Sequence, residues 1–394
     1  MCSVVFIVAV VMVLGVSVPA ESLPRVRVAQ PPAPTETPEL PEVVPVYQGF
    51  GATTPGGAGQ PVVRVTNLDD SGPGSLRRAL SGGERTIVFD VAGTIELADT
   101  LHVRGAFVTI DGSTAPPPGI TLRHHGLAIH GQGGAYYDCG DSCDDAHDVI
   151  VTGLRIRGAA EDGLRIAHGA YNVVVDHVSI QGSLDGNLDI TESHDITVQW
   201  SVLAEPADVQ KNMLIKYGPA HITLHHNVFV GAQQRNPQVK IDDEGTTATD
   251  TTLDMRNNVV WDWLDGYGTL VASGARANVA DNIYGSPYSG RDEREKAIRV
   301  DEARAWIAGN VSLDGIGRLD GTGTDGRPFD APWVDTQPAC VAGPAVLAGA
   351  GVRPLDAVDE AYLARIVLPV CDEASAPSDI PWRYEEWLQG AAGR

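Results

Sequence analysis

Between Val149 and Ile307 the chain repeats one short pattern of apolar and intervening positions seven times. Apolar residues stand at Val149, Val173, Ile196, Ile222, Leu253, Ala277 and Ala305. They recur two positions later at Val151, Val175, Val198, Leu224, Met255, Val279 and Ile307. Between the two rows fall Ile150, Val174, Thr197, Thr223, Asp254, Asn278 and Trp306, a mixed set whose alternation loosens towards the C-terminus. A period of two predicts strands with one face buried. Three positions beyond the second row come Leu154, Val178, Ser201, Asn227, Asn258, Asn282 and Asn310, at intervals of 24, 23, 26, 31, 24 and 28 residues. The four consecutive asparagines predict a ladder of stacked amides. Single strands returning at this period predict an all-β solenoid, a parallel β-helix. Parallel crossovers are usually right-handed, so a right-handed helix is expected.

Upstream, strands are expected at Val62–Thr66, Thr86–Asp90 and Thr94–Leu97, with tight turns between them. Ser75 is placed to cap a short helix whose Leu76, Ala79 and Leu80 share one face, a cap for the end of the solenoid. Residues 1–20 read as a signal peptide, with an apolar run over 4–18 and small residues after it, although a basic start is missing. An uncleaved N-terminal anchor is the alternative. Residues 21–45 are a proline-rich extended linker, 46–335 the β-helix domain, and 336–394 a C-terminal segment without the repeat, packed on the helix.

Composition agrees with many turns: 44 glycines and 26 prolines, against 6% aromatics, in 394 residues. The formal charge of -23 disfavours nucleic acid and anionic membranes as partners. Beyond the signal remain Cys139, Cys143, Cys340 and Cys371; an even count in an exported chain favours disulfides 139–143 and 340–371. Cys139, Cys143 and His147 have zinc-like spacing, but no fourth ligand is evident.

Against this acidic background the four segments from Leu154 to Pro237 each carry a charge at nearly the same phase. These are Asp162, then Asp185 with Asp189, then Lys211, then Arg235, with Lys240 five residues on. Coils stack about 4.8 Å apart, so these residues should form one file on one wall. Three converging carboxylates require neutralisation, for which calcium, a hard ion with loose geometry, is the natural candidate. Fixed cations beside it would make a groove for a polymer bearing carboxylates. Solvated turn residues are the bland reading, yet surface ion pairs alone contribute little stability. His177, His225 and His226 lie on or beside strands and are read as structural.

The combination of Gly49-Phe50-Gly51, Asp70-Ser71-Gly72-Pro73-Gly74-Ser75-Leu76-Arg77, Ile87-Val88-Phe89-Asp90, Asp185-Gly186-Asn187-Leu188-Asp189-Ile190, His225-His226-Asn227 and Arg235-Asn236-Pro237 resembles the pectate lyase family of right-handed parallel β-helix enzymes. The similarity runs from about Tyr47 to Gly285. It implies calcium-assisted β-elimination on polygalacturonate by a secreted, monomeric enzyme. It also implies Asp162, Asp185 and Asp189 as calcium ligands, Lys211 and Lys240 as substrate-binding groups, and Arg235 as the base that takes the C5 proton. Two departures stand out. Ala160 replaces a further aspartate that relatives often carry, with Glu161 adjacent, and Lys240 replaces an arginine, a point charge in place of a fork. Free arginine keeps its proton far into the alkaline range, so activity should rise steeply into alkaline pH. Pectin lyases, which act on methyl esters, lack the acidic cluster. The rival readings are a polygalacturonase-like hydrolase and a non-catalytic binder of acidic glycans.

Overall fold

The seven equivalent points are corners, and each is made by one residue. Gly153, His177, Trp200, His226, Asn257, Asp281 and Gly309, directly before them, all have φ between 47° and 69°. A left-handed residue reverses the chain's pleat in one step, at a cost that glycine avoids and Asn, Asp or His tolerate. The next residue therefore points inward. At this corner Asn227 Nδ2 donates to Asn258 Oδ1 at 3.0 Å, Asn258 to Asn282 at 2.9 Å and Asn282 to Asn310 at 2.9 Å. The expected ladder is present.

The computed structural model describes residues 46–134, 136, 143–207, 211–263, 266–285, 296–312 and 325–368. The expected signal, the linker, and Cys139 and Cys371 with their two pairings lie outside the described residues. The rest is a parallel β-solenoid of about nine coils. Its three walls hold ten, nine and eight parallel strands. Wall one runs from Val62–Val65 to Arg304–Ala308, wall two from Gly93–Glu96 to Val311–Ser312, and wall three from Leu101–His102 to Lys296–Asp301. Wall-one register follows the apolar rows: Val173 pairs with Ile196, Ile196 with Ile222, Ile222 with Leu253 and Leu253 with Ala277. Their side chains, with Val175, Val198 and Leu224, fill the interior at 0% exposure.

Helix α1 (Leu76–Ala79) begins at Ser75, whose Oγ accepts from Arg78 N at 3.2 Å, and buries Leu76, Ala79 and Leu80 over the first coils. The segment beyond the repeat contains α2 (Ala339–Gly349) and α3 (Ala357–Leu363). Their Val346, Tyr362 and Leu363 cover the outer face of wall two at Val202, Val228, Val259 and Ile283. Arg157 of wall two donates to Asp359 at 2.8 Å.

Wall one departs from expectation: both of its faces are buried. Val174, Thr197, Thr223, Asp254 and Asn278, on the outer row, are all 0% exposed. A strap at residues 48–57 lies across them. Thr197 Oγ donates to Gln48 O at 2.8 Å and accepts from Gly51 N at 2.9 Å; Thr223 accepts from Phe50 N and Thr109 from Gly57 N. Glycine permits the approach, since a Cβ on Gly51 would fall 2.5 Å from Val173 O. Residues 329–337 continue the cover, with Asn278 and Phe329 exchanging two hydrogen bonds. Among the described residues no helix is long and apolar enough to cross a membrane. With walls one and two covered, wall three offers an open flank.

Candidate active site

The corner leading into wall three holds a second amide ladder, which sequence reading missed. Asn187, Asn212 and Asn236 are buried; Asn187 Nδ2 donates to Asn212 Oδ1 and Asn212 Nδ2 to Asn236 Oδ1, both at 2.8 Å. Each asparagine directly follows a residue of the charged file or its hollow: Gly186, Lys211 and Arg235. The ladder pins the backbone from which those side chains leave. Lys211 is further joined to Gln234 by an isolated parallel bridge, and Arg235 O accepts from Met213 N at 2.8 Å.

Asp162 and Asp189 meet around Gly186, which directly follows the more exposed Asp185. Gly186 N donates to Asp162 Oδ1 at 3.0 Å. A Cβ at Gly186 would lie 2.7 Å from Asp189 Oδ1 and 3.1 Å from Asp162 Oδ1, so only glycine leaves both carboxylates their hollow. Burial, then the charge of Asp185, pushes Asp162 up to about 6. Burial, then Asp162, raises Asp189 well above the ordinary carboxylate range, opposed by the hydrogen bond from Leu214 N at 3.1 Å and by Arg235. Burial first, and neighbouring carboxylates second, raise the proton affinity of both acids. Oxygen-only donors with unmet charge suit a hard divalent cation.

Asp185 is engaged differently, accepting from Lys211 Nζ at 2.5 Å. Lys240 donates to Asp243 at 2.8 Å, and Asp243 also takes Lys216. Asp243 was not anticipated, and it draws two of the clustered lysines together. Arg235 projects half-buried from the same edge, with its Nε buried and making no hydrogen bond. Arg165, also missed, pairs in register with Asp189 and tempers the charge of Asp162. Its signal was available, because Arg165 follows Leu164 as Asp189 follows Leu188.

The histidines lie elsewhere. His177 and His226 occupy the wall-one corner and stack on either side of Trp200, with ring centroids 6.2 and 4.4 Å away. His225 is buried against His226 and Gln199, and burial holds it well below its ordinary value. None of the three reaches the file.

A probable pectate lyase C of Aspergillus fumigatus is 35% identical over 287 residues, spanning 70% of this chain and 62% of the relative. The enzyme of the same name from Emericella nidulans is 34% identical over 249 residues, 62% of this chain and 53% of the relative. Over those residues the chain is similar to proteins named as pectate lyases. It spans about half to three-fifths of the length of those two proteins. No family model matches. The solved structure of a pectate lyase bound to hexasaccharide is 15% identical, with a TM-score of 0.59 over 78% of this chain and 97% of that one, a likeness of fold.

Proposed function

We propose that the protein is a secreted pectate lyase that cleaves polygalacturonate by calcium-assisted β-elimination, giving 4,5-unsaturated oligogalacturonates. The observation that carries this reading is the file along the wall-three edge: acids at Asp162, Asp185 and Asp189, then Lys211 and Arg235 on successive coils. Asp162, Asp185 and Asp189 would hold the calcium, whose charge would offset that of the uronate carboxylate and so make the adjacent C5 proton more acidic. A uronate carboxylate entering the groove replaces Asp185 as the partner of Lys211, which releases Asp185 towards the cation. Lys211 then stabilises the charge that gathers on the uronate as C5–H breaks. Arg235, as the neutral guanidine, takes that proton; the C5–H electron pair forms the C4–C5 double bond as the C4–O glycosidic bond breaks, and the departing oxygen takes a proton from solvent. The Nε of Arg235 is buried and makes no hydrogen bond to the protein. Lys240 holds a neighbouring uronate, exchanging Asp243 for it.

Export implies removal of residues 1–20 and disulfides Cys139–Cys143 and Cys340–Cys371, read out by intact mass of the secreted product before and after reduction. The deciding assay is ultraviolet absorbance of the conjugated product on polygalacturonate, in calcium and in chelator, with Arg235→Ala beside wild type. Absorbance growth that needs both calcium and Arg235 supports the proposal. Reducing ends without absorbance would establish a hydrolase, and binding without either would establish a glycan-binding protein. Ala160, where relatives often place another acid, is the feature that favours the last alternative.

A further inference from the structure

In the two coils before the charged file, wall three carries a different set of donors. His102 ends the strand Leu101–His102 and His130 ends Leu127–His130, which pairs beside it. Asp144 reaches them from the segment that returns towards wall one. One ligand atom from each of the three lies within 4.8 Å of the others, the only such group of three among the described residues. Asp162, Asp185 and Asp189 do not form one, and Asp185 is paired with Lys211.

The carboxylate is built into place. Its side chain is 5% exposed, and Arg104 Nη1 donates to Oδ1 at 2.8 Å. Oδ2 is buried, makes no hydrogen bond, and faces His102 Nδ1 at 3.5 Å, a nitrogen that is itself buried without a hydrogen bond. The rings of His102 and His130 meet edge to face with centroids 5.4 Å apart. Both line a cleft of about 370 Å³ that runs on to Glu161, Asp162 and Arg165. His168, next along the cleft, is drawn away by Glu192 at 3.3 Å.

We propose that His102, His130 and Asp144 form a site for a divalent transition cation, zinc first, separate from the acidic file. Two imidazoles and one carboxylate are borderline donors that favour zinc over calcium. Ligand atoms around tetrahedral zinc sit about 3.3 Å apart, so the three need close by at most about 1.5 Å. Arg104 plays the part of an outer partner that orients the ligating carboxylate. The fourth position faces the cleft, where water or a carboxylate of the bound polymer can complete it. Because the ligands come from two successive coils and a returning segment, the ion would cross-link the N-terminal end of the solenoid.

The inference does not depend on the lyase reading, and its test keeps the two apart. Untagged full chain is stripped with chelator, saturated with calcium, and titrated with zinc chloride by calorimetry. Cobalt chloride is used in parallel for visible absorption. One zinc equivalent, an intense cobalt spectrum and a higher melting temperature in zinc are expected. His102→Gln and Asp144→Asn should each weaken zinc at least about 100-fold, while their metal-free melting stays within a few degrees of wild type. Asp162→Asn and Cys143→Ser should bind zinc as wild type does. Absence of zinc binding at micromolar concentration overturns the proposal. So does zinc binding that survives both His102→Gln and Asp144→Asn, or that Asp162→Asn or Cys143→Ser abolishes.

Discussion

Two edges of this solenoid repeat the same kind of residue from coil to coil, with opposite results. At the corner between walls one and two, Asn227, Asn258, Asn282 and Asn310 stack, and each amide both gives and takes a hydrogen bond. At the corner entering wall three, Asn187, Asn212 and Asn236 do the same inside, while charged groups stack outside them. An amide is donor and acceptor at once, so repetition satisfies it. A carboxylate only accepts, so burial, with neighbouring acids adding to it, raises the proton affinity of Asp162 and Asp189. A regular lattice thus turns one residue type into stability and another into an appetite for ligand.

The largest test of this contrast is on the charged side. Arg235→Lys should lower the rate of unsaturated product formation about 10²–10⁴-fold, by ultraviolet assay, with melting little changed. Next, breaking either ladder should cost about 2–4 kcal/mol in chemical denaturation, because each amide makes buried hydrogen bonds and its loss strands others. The two should then part company. Asn258→Ala should leave kcat of the folded fraction intact, whereas Asn212→Ala should also lower kcat about tenfold or more by loosening Lys211. Equal effects on kcat would erase the distinction between the edges.

A third test uses a buried acid outside the file. Burial pushes Asp281 up to about 6, beside the wall-one corner. Its ionisation is penalised in the folded state, so the penalty is absent below about pH 4, grows as pH rises and is complete above about 6. Asp281→Asn should therefore match wild type near pH 4 and exceed it above pH 6, by no more than about 3 kcal/mol. Asparagine also accepts the φ of 53° there. Denaturant midpoints across pH 4–8 give the answer, and a constant difference would discard it. The smallest effect is expected at the strap. Thr197→Val removes two hydrogen bonds to Gln48 and Gly51 and should cost about 1–2 kcal/mol, with the rate unaffected.

How far the fold could be read depended on distance from the counting point. The wall-one pairs Val173–Ile196–Ile222 and the amides from Asn227 onward were legible because one left-handed residue makes each corner, leaving no slack in phase. The second ladder was not. Asn187, Asn212 and Asn236 fall nine, eleven and nine residues past Val178, Ser201 and Asn227, since the intervening segment varies in length and blurs the phase. The burial of Thr197 and Thr223 was invisible because their cover lies about 150 or more residues earlier in the chain. The order of charges in the file could be listed, but not that Lys211 would close on Asp185 or Lys240 on Asp243, since neighbouring coils bring opposite signs within reach. His102, His130 and Asp144 precede the counted repeats or lie beside their start, so no period pointed to them.

The strap has a further meaning. It enters near Thr223 and runs back against the direction of winding, reaching Thr197, then Thr109 and Thr86. Solenoids usually grow or shrink by duplicating or deleting whole turns. Here the run from Phe50 to Gly57 acts as a gauge, matching a fixed length of extended chain to a fixed number of turns beneath it. An insertion of one turn between Thr109 and Thr197 would throw the anchors at Thr197 and Thr223 out of step with those at Thr86 and Thr109, whereas one beyond Thr223 would pass the gauge unnoticed. The tally of turns ahead of the charged edge is thereby locked, and variation in length is steered to the far end of the molecule.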